Sequence, residues 1–310
     1  MCTAILKKNL FGRTLDLECS LGESVTLCPR NAPLSFRYLP PNPHHSAFMG
    51  CAHVRDGTPL WYDGFNEHGL SVAALSFPIS AVYAPPRPSF CNLCSFEVIP
   101  ALLSECKSLS EARALLCETH VTDDAAFPSL PPSPLHWMIA DREGAFVAEP
   151  TAEGLRIYEN PARVLTNEPP FPYQMLRLAD ATALSPHQPK NALCPELSLP
   201  LYSRGMGALG LPGDASSTSR FVRGVYASTH TVLEPGNEIE GFFHILDTVA
   251  QPKGFALTDT GEPIYTVYTD CMDLTALTYS YTTYTCRSIR SHAMREHDLD
   301  GETVVWSSMT

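Results

Sequence analysis

The chain has 310 residues, of which 33 are acidic and 21 basic, for a net charge of -12, and no stretch of Lys and Arg is dense enough to track a phosphate backbone. That balance argues against a nucleic-acid partner. Hydrophobic residues make up 44% and charged residues 17%, the composition of a folded globular protein, and no apolar run reaches the ~20 residues that cross a bilayer, which argues against membrane insertion.

The N-terminus, Met1-Cys2-Thr3-Ala4-Ile5-Leu6-Lys7-Lys8, places its charges after a short apolar run and does not read as a secretory signal. A first strand is predicted there, followed by Arg13 and Asp16. Pro40 to Pro43, Pro85 to Pro88 and Pro128 to Pro134 read as rigid surface loops rather than linkers, so residues 1–310 are expected to form a single domain. Ser108-Leu109-Ser110-Glu111 has the form of a capping box, with Leu109, Ala112, Leu115 and Leu116 on one helical face. Leu135–Ala140, Ala145–Glu149 and Leu155–Tyr158 alternate with turn residues as an antiparallel meander does. Asn237 is expected to cap a second helix whose Ile239, Phe242, Phe243, Leu246 and Val249 share a side. Ile264–Tyr268 and Leu274–Thr285, rich in Thr, Tyr and Val, read as further strands. Strand clusters separated by helices predict an α+β layered fold rather than a doubly wound one.

The 11 cysteines are odd in number and have no repeated spacing, which in this chain predicts reduced thiols and a cytoplasmic protein. Cys2 is the exceptional one. A small side chain at position 2 lets Met1 be removed, leaving a thiol and a free α-amine on one residue. An α-amine titrates near ~7.7 to 8.0 and can take the thiol proton at neutral pH. By itself such a residue is most often a plain terminus. Arg13 and Asp16 add one charge of each sign. As a solvated surface pair they would contribute little; beside Cys2, Arg13 would lower the thiol pKa and Asp16 would hydrogen-bond the amine.

Several patterns carry less. Gly205-Met206-Gly207-Ala208-Leu209-Gly210 has dinucleotide-loop spacing but leads into Leu211-Pro212-Gly213 rather than a helix. Cys91 and Cys94 have metal-ligand spacing without a second pair and are read as helix cysteines, with no metal. His44 and His45 lie in a Pro-rich loop and read as solvated.

Met1-Cys2-Thr3, Phe11-Gly12-Arg13-Thr14-Leu15-Asp16, Asn66-Glu67-His68-Gly69-Leu70, Leu135-His136-Trp137-Met138-Ile139, Val164-Leu165-Thr166-Asn167, Gly210-Leu211-Pro212-Gly213-Asp214 and Ser219-Arg220-Phe221 together resemble successive signatures of the choloylglycine hydrolase family, in family order over nearly the whole chain. The family comprises bile salt hydrolases and penicillin V acylases. The resemblance implies an αββα sandwich with two antiparallel sheets, Cys2 as nucleophile, Arg13 and Asp16 as thiol-activating and amine-orienting residues, Asn167 as oxyanion donor and Arg220 as the active-site arginine. It also implies that the backbone N–H of Ser76 serves the oxyanion hole, at a position where bile salt hydrolases usually have Asn and penicillin V acylases Tyr; a backbone donor survives this change. Thr282 is a second departure, from a common Asn.

The function so implied is hydrolysis of glycine- or taurine-conjugated bile salts through a thioester, with no metal or cofactor, by a homotetramer. Arg13 and Arg220 would supply positive potential, and Phe48, Met49, Trp61, Tyr62 and Phe65, with the segment from Phe127 to Leu135, would form the apolar wall. Penicillin V or an N-acyl homoserine lactone is the alternative substrate. A catalytically silent binding protein is the rival of a different class, and it would need none of this proton chemistry.

Overall fold

The computed structural model describes residues 1–309. The chain runs through β1 (Cys2–Lys7), β2 (Leu10–Leu17), β3 (Glu23–Cys28), β4 (Phe48–Arg55), β5 (Thr58–Trp61), β6 (Asp63–Asn66), β7 (Ser71–Ser76) and β8 (Cys91–Cys94), then α1 (Val98–Glu105) and α2 (Leu109–Cys117). There follow β9 (Thr119–Thr122), β10 (Leu135–Ala140), β11 (Ala145–Thr151), β12 (Gly154–Glu159), β13 (Val164–Leu165), α3 (Phe171–Arg177), α4 (Ser217–His230) and α5 (Glu238–Asp247). β14 (Ala256–Leu257), β15 (Pro263–Asp273), β16 (Thr278–Thr283), β17 (Arg290–Ala293) and β18 (Val305–Ser308) complete the order.

Two antiparallel sheets form the middle layers. One has the order β13-β1-β2-β15-β16-β17 with β14 beside β15; the other runs β12-β11-β10-β7-β6-β4-β3-β18 with β5 beside β4. α4 and α5 pack on the outer side of the first sheet against β1, β2 and β15, while α1 and α2 cover the second against β6, β7, β10 and β12. This is the expected α+β, αββα arrangement. The layer between the sheets holds apolar side chains from both, among them Leu15, Met49, Phe65, Leu75, Met138 and Tyr268. A separate cluster, including Phe48, Trp61, Leu102, Leu116 and Trp137, fills the space under α1 and α2. The packing of β2 on β15 demands glycine at position 12: a Cβ there would lie 2.1 Å from the Asp270 carbonyl and 2.8 Å from the Phe242 ring.

The local expectations are met to different degrees. Ser108 caps α2 by accepting from the Glu111 N–H at 3.2 Å, but the Glu111 carboxylate takes the Lys107 N–H at 2.7 Å instead of closing the box on Ser108. Asn237 precedes α5 without a side-chain cap bond. The meander is β10, β11 and β12. Leu274 belongs to the turn between β15 and β16, not to a strand. Cys91 and Cys94 lie on a strand, not a helix: β8 pairs in parallel with β9, whose Thr119, Val121 and Thr122 favour extended structure.

Candidate active site

β1 and β2 form a hairpin in which Cys2 stands opposite Leu15 and Ala4 opposite Arg13. Strand alternation therefore puts Cys2, Ala4, Arg13 and Leu15 on one face and Thr3, Thr14 and Asp16 on the other. Two charges three apart on a strand must diverge, and here each takes its own layer. Arg13 points between the sheets, where Nη1 donates to the carbonyls of Tyr62 at 3.0 Å and Ala74 at 2.5 Å. Its Nη2 is buried and has no partner among the described residues. Burial alone would lower the guanidinium pKa, but Cys2, followed by Tyr268, Asp63 and Asp270, outweighs it and holds Arg13 above its usual range.

Asp16 points toward the helices. A bulge at Val267 makes this possible: Thr266 pairs with Asp16 and Tyr268 with Leu15, so one extra residue lets Thr266 face the helices while Tyr268 faces the other sheet. Thr266 donates to Asp16 Oδ1 at 2.6 Å and Thr14 to Oδ2 at 3.3 Å. Burial pushes the Asp16 carboxyl up, against the pull of Arg220, the N-terminus and Thr266. The sequence expectation gives this carboxylate the free α-amine of a Cys2 that has lost Met1. With Met1 in place, the Cys2 N–H donates to Asn167 Oδ1 at 2.9 Å, while Asp16 bonds Met1 through its backbone. With Met1 attached, that nitrogen is an amide with a single proton, and Asn167 takes it.

Arg220, in the first turns of α4, closes the group. It donates to the Ala215 and Cys2 carbonyls, to Thr3 Oγ1 at 2.7 Å and to Asn167 Oδ1 at 2.7 Å. Burial lowers its pKa, partly offset by Asp16 and Cys2. Two donors on Oδ1 fix the Asn167 amide orientation, so Nδ2 faces the Ser76 carbonyl at 2.8 Å with a second proton to spare. Asn167 is brought there by β13, which pairs Leu165 with Ala4. It is held by Ser217 Oγ on its N–H at 2.8 Å and Gln174 on its carbonyl at 3.1 Å.

Ser76 ends β7 opposite Leu135. Because the Phe77 N–H donates to the Pro134 carbonyl, ladder alternation turns the Ser76 N–H and carbonyl away from β10. Both then face the side where Asn167 lies. The geometry thus joins Cys2, Asn167, Arg220 and Ser76 directly, with Asp16 behind Arg220 and Arg13 on the opposite face of the hairpin.

The expected apolar wall is only partly available. Phe48, Met49 and Phe65 are fully buried, Phe48 against Trp61 at 4.8 Å between ring centroids, and Trp61 itself is 6% exposed. They belong to strands whose alternation sends them into the two cores, not to a loop. Tyr62, beside Arg13, and Leu135, beside Ser76, are half-buried.

Sequence reading missed Thr3, Thr266, Ser217 and Gln174 as supports, and also the pair of His136 and Glu149. The His136 ring, stacked on Phe77 at 4.3 Å, spans Glu149 at 3.1 Å and the Thr166 carbonyl at 2.9 Å. A signal existed: a His and a Glu inside otherwise apolar strands are rarely buried without a partner. Among the described residues no group of three or more His, Cys, Asp or Glu is placed to hold a metal ion, and no helix is long and apolar enough to cross a membrane.

The family model of linear amide C–N hydrolases, choloylglycine hydrolase family, matches residues 2–307. The bile salt hydrolase/transferase of Lactiplantibacillus plantarum is 40% identical over 306 residues, covering 97% of this chain and 94% of that protein. The conjugated bile acid hydrolase of Lactobacillus gasseri is 32% identical, covering 98% of each. Among solved structures, a variant of the conjugated bile acid hydrolase from Clostridium perfringens superposes with a TM-score of 0.92 at 30% identity, over 100% of this chain and 97% of that one. The penicillin V acylase from Agrobacterium tumefaciens has the same fold, with a TM-score of 0.77 at 19% identity over 99% and 90% of the two chains.

Proposed function

The chain belongs to the choloylglycine hydrolase family of linear amide C–N hydrolases, and on that premise we propose that it cleaves the amide bond of glycine- or taurine-conjugated bile salts with Cys2 as the N-terminal nucleophile. The observation that carries the reading is the Cys2 nitrogen held on Asn167 Oδ1, with Arg220 on the same oxygen and Ser76 alongside.

Removal of Met1 turns that nitrogen into an α-amine. The amine takes the thiol proton; sulfur attacks the amide carbonyl, and a C–S bond forms as the carbonyl electrons move to oxygen. The Ser76 N–H and the second Asn167 Nδ2 proton receive the oxyanion, a pair of preorganised donors. The C–N bond then breaks, the amine proton passes to the leaving nitrogen, and glycine or taurine departs. Water, deprotonated by the freed amine, splits the thioester and restores Cys2. Arg13 and Arg220 supply the positive field for an anionic substrate. Tyr62 and Leu135 give the accessible apolar lining, with Trp61, Phe48, Met49 and Phe65 as the packed wall behind it.

The eleven cysteines are all free, which supports a reducing compartment, the cytoplasm. Leu193, Leu197, Leu199, Leu201, Tyr202 and Leu209 each stand exposed in the segment between α3 and α4, apolar surface that supports assembly, here a homotetramer; light scattering on the purified protein reads the mass.

Ser76 leaves more room near sulfur than Asn or Tyr would, which favours the steroid substrate. Amino-acid release from glycocholate and taurocholate, measured beside penicillin V at one pH and enzyme concentration, should give the bile salts the higher kcat/KM. A tenfold preference for penicillin V, about 1.4 kcal/mol in transition-state binding, would overturn the substrate and leave the Cys2 mechanism standing. An intact mass showing Met1 retained on active enzyme would overturn the mechanism itself.

A further inference from the structure

Asp63 of β6 and Asp270 of β15 come from different sheets, have no accessible surface, and face one another at hydrogen-bonding range in the layer between. Tyr279 Oη lies 3.0 Å from Asp63 Oδ1 and 3.1 Å from Asp270 Oδ2. A phenol has one proton, and ionised carboxylates only accept. One of those contacts therefore needs a carboxyl that donates. Two bare carboxylates at this range in a dry layer would also repel strongly.

The donors are unevenly shared. Asp63 receives the Cys51 N–H at 3.1 Å and the Tyr268 hydroxyl in addition to Tyr279. Asp270 receives the Arg13 N–H on Oδ1 at 2.9 Å, leaving Oδ2 to carry a proton. Burial pushes both carboxyls up, Asp270 well above the usual range. The remaining titratable groups facing the pair are Cys51 from β4, Tyr268 from β15 and Tyr279 from β16, all driven well up by burial and so neutral at neutral pH. Among the described residues this leaves Arg13 as the charged group beside the pair. Its strand is pinned by Asp270 at the point where the ladder passes from Thr14–Thr269 to Phe11–Met272.

We propose that Asp63 and Asp270 share a single proton and act as a monoanionic counter-ion that positions Arg13 beside Cys2, with the number of protons on the pair setting the positive field at the thiol. They are positioning residues, since neither touches the reacting atoms. One negative charge balances Arg13 before the thiol ionises; two would cancel its help to the thiolate, and none would leave a buried cation uncompensated. The inference rests on Cys2 as nucleophile.

The test is the pH dependence of Cys2 alkylation by iodoacetamide in the Met1-free protein, read as modified N-terminal peptide. That readout needs no substrate, so it separates a wrong counter-ion from a wrong substrate. Other groups facing Cys2, namely Arg13, Arg220 and Tyr62, are unchanged in every variant. Asp270→Asn keeps one negative charge, an acceptor for the Arg13 N–H and a donor toward Asp63, so its alkylation midpoint should match the unmodified protein. The Asp63→Asn/Asp270→Asn double variant removes the charge and should lower the midpoint by about one pH unit. A shift already present in Asp270→Asn would mean a dianion, and no shift in the double variant would mean a neutral pair; either overturns the proposal. The infrared spectrum at neutral pH is a second measurement. The unmodified protein should show a protonated-carboxyl band that is lost in Asp270→Asn, and absence of the band from the unmodified protein overturns the proposal whether or not a variant folds.

Discussion

The two faces of the β1–β2 hairpin each bury an arginine, and they treat it in opposite ways. Toward the helices, Arg220 has an acceptor on each of its three nitrogens: the Ala215 carbonyl, the Cys2 carbonyl with Thr3, and Asn167. Toward the second sheet, Arg13 bonds two carbonyls through Nη1 and leaves Nη2 buried and unpartnered. A satisfied buried cation is a clamp, because removing it strands its acceptors. An unsatisfied buried donor stabilises charge that has yet to form, with no reorganisation when it does. The nucleophile sits at the end of the strand where these faces meet.

The sharpest way to break this comparison is to remove the group both faces serve. Cys2→Ala should abolish turnover while the melting temperature stays near that of the unmodified protein, because the lost sulfur bonds nothing that holds the sheets together. Next, Asn167→Ala should lower kcat by about 10²-fold to 10³-fold, the cost of losing an oxyanion donor. A loss confined to KM would make Asn167 a ground-state contact instead.

Comparing the arginines directly is expected to give smaller effects, separated by the reactivity of the thiol. Arg13→Met should slow Cys2 alkylation at neutral pH by about tenfold, because the buried cation that favours the thiolate is gone. Both variants should unfold more easily in denaturant melts, Arg220→Met through the stranded Cys2 carbonyl and Asn167, at about 1–3 kcal/mol for each buried acceptor left unmade, and Arg13→Met through the Tyr62 and Ala74 carbonyls. Equal slowing of alkylation by both variants would remove the distinction between clamp and reserve.

Much of this was legible in residues close together in the chain. The meander from Leu135 to Tyr158 and the helix after Ser108 follow from local alternation and a local cap, and Cys2, Arg13 and Asp16 are close in sequence. What sequence could not supply depends on which strands lie side by side. Nothing near Val267 announces the bulge that turns Thr266 toward Asp16, and the Asp63–Asp270 pair exists only because β6 and β15 face each other across the layers. Phe48, Met49 and Phe65 were expected in a lining loop because a run of aromatic and apolar residues does not say which of two cores each side chain enters. The direct bond from the Cys2 nitrogen to Asn167 was equally out of reach, since it depends on the two-residue strand β13.

The finest prediction concerns the Thr266 hydroxyl, the neutral support on the helix-facing side. Thr266→Val keeps the shape and removes two bonds: the 2.6 Å bond to Asp16, whose loss should cost about 1.5–3 kcal/mol when the carboxylate is charged, and the acceptor of the Gln251 N–H at 2.7 Å, a loss that does not depend on pH. The pH dependence separates this from a packing defect. Burial holds the folded pKa of Asp16 above its ordinary 3.8, and Thr266 is one of the groups pulling it back down. A carboxyl with a raised folded pKa contributes stability that is present below the unfolded pKa and lost as pH rises through the folded one. Without the hydroxyl the folded pKa rises further, so the variant loses more on that climb. Its deficit in urea melts should be largest at neutral pH and shrink as pH falls through the folded pKa of Asp16, down to the constant part left by the unpaired Gln251 N–H. A deficit of constant size across that range would mean that Thr266 supports the bulge through packing and not through the charge on Asp16.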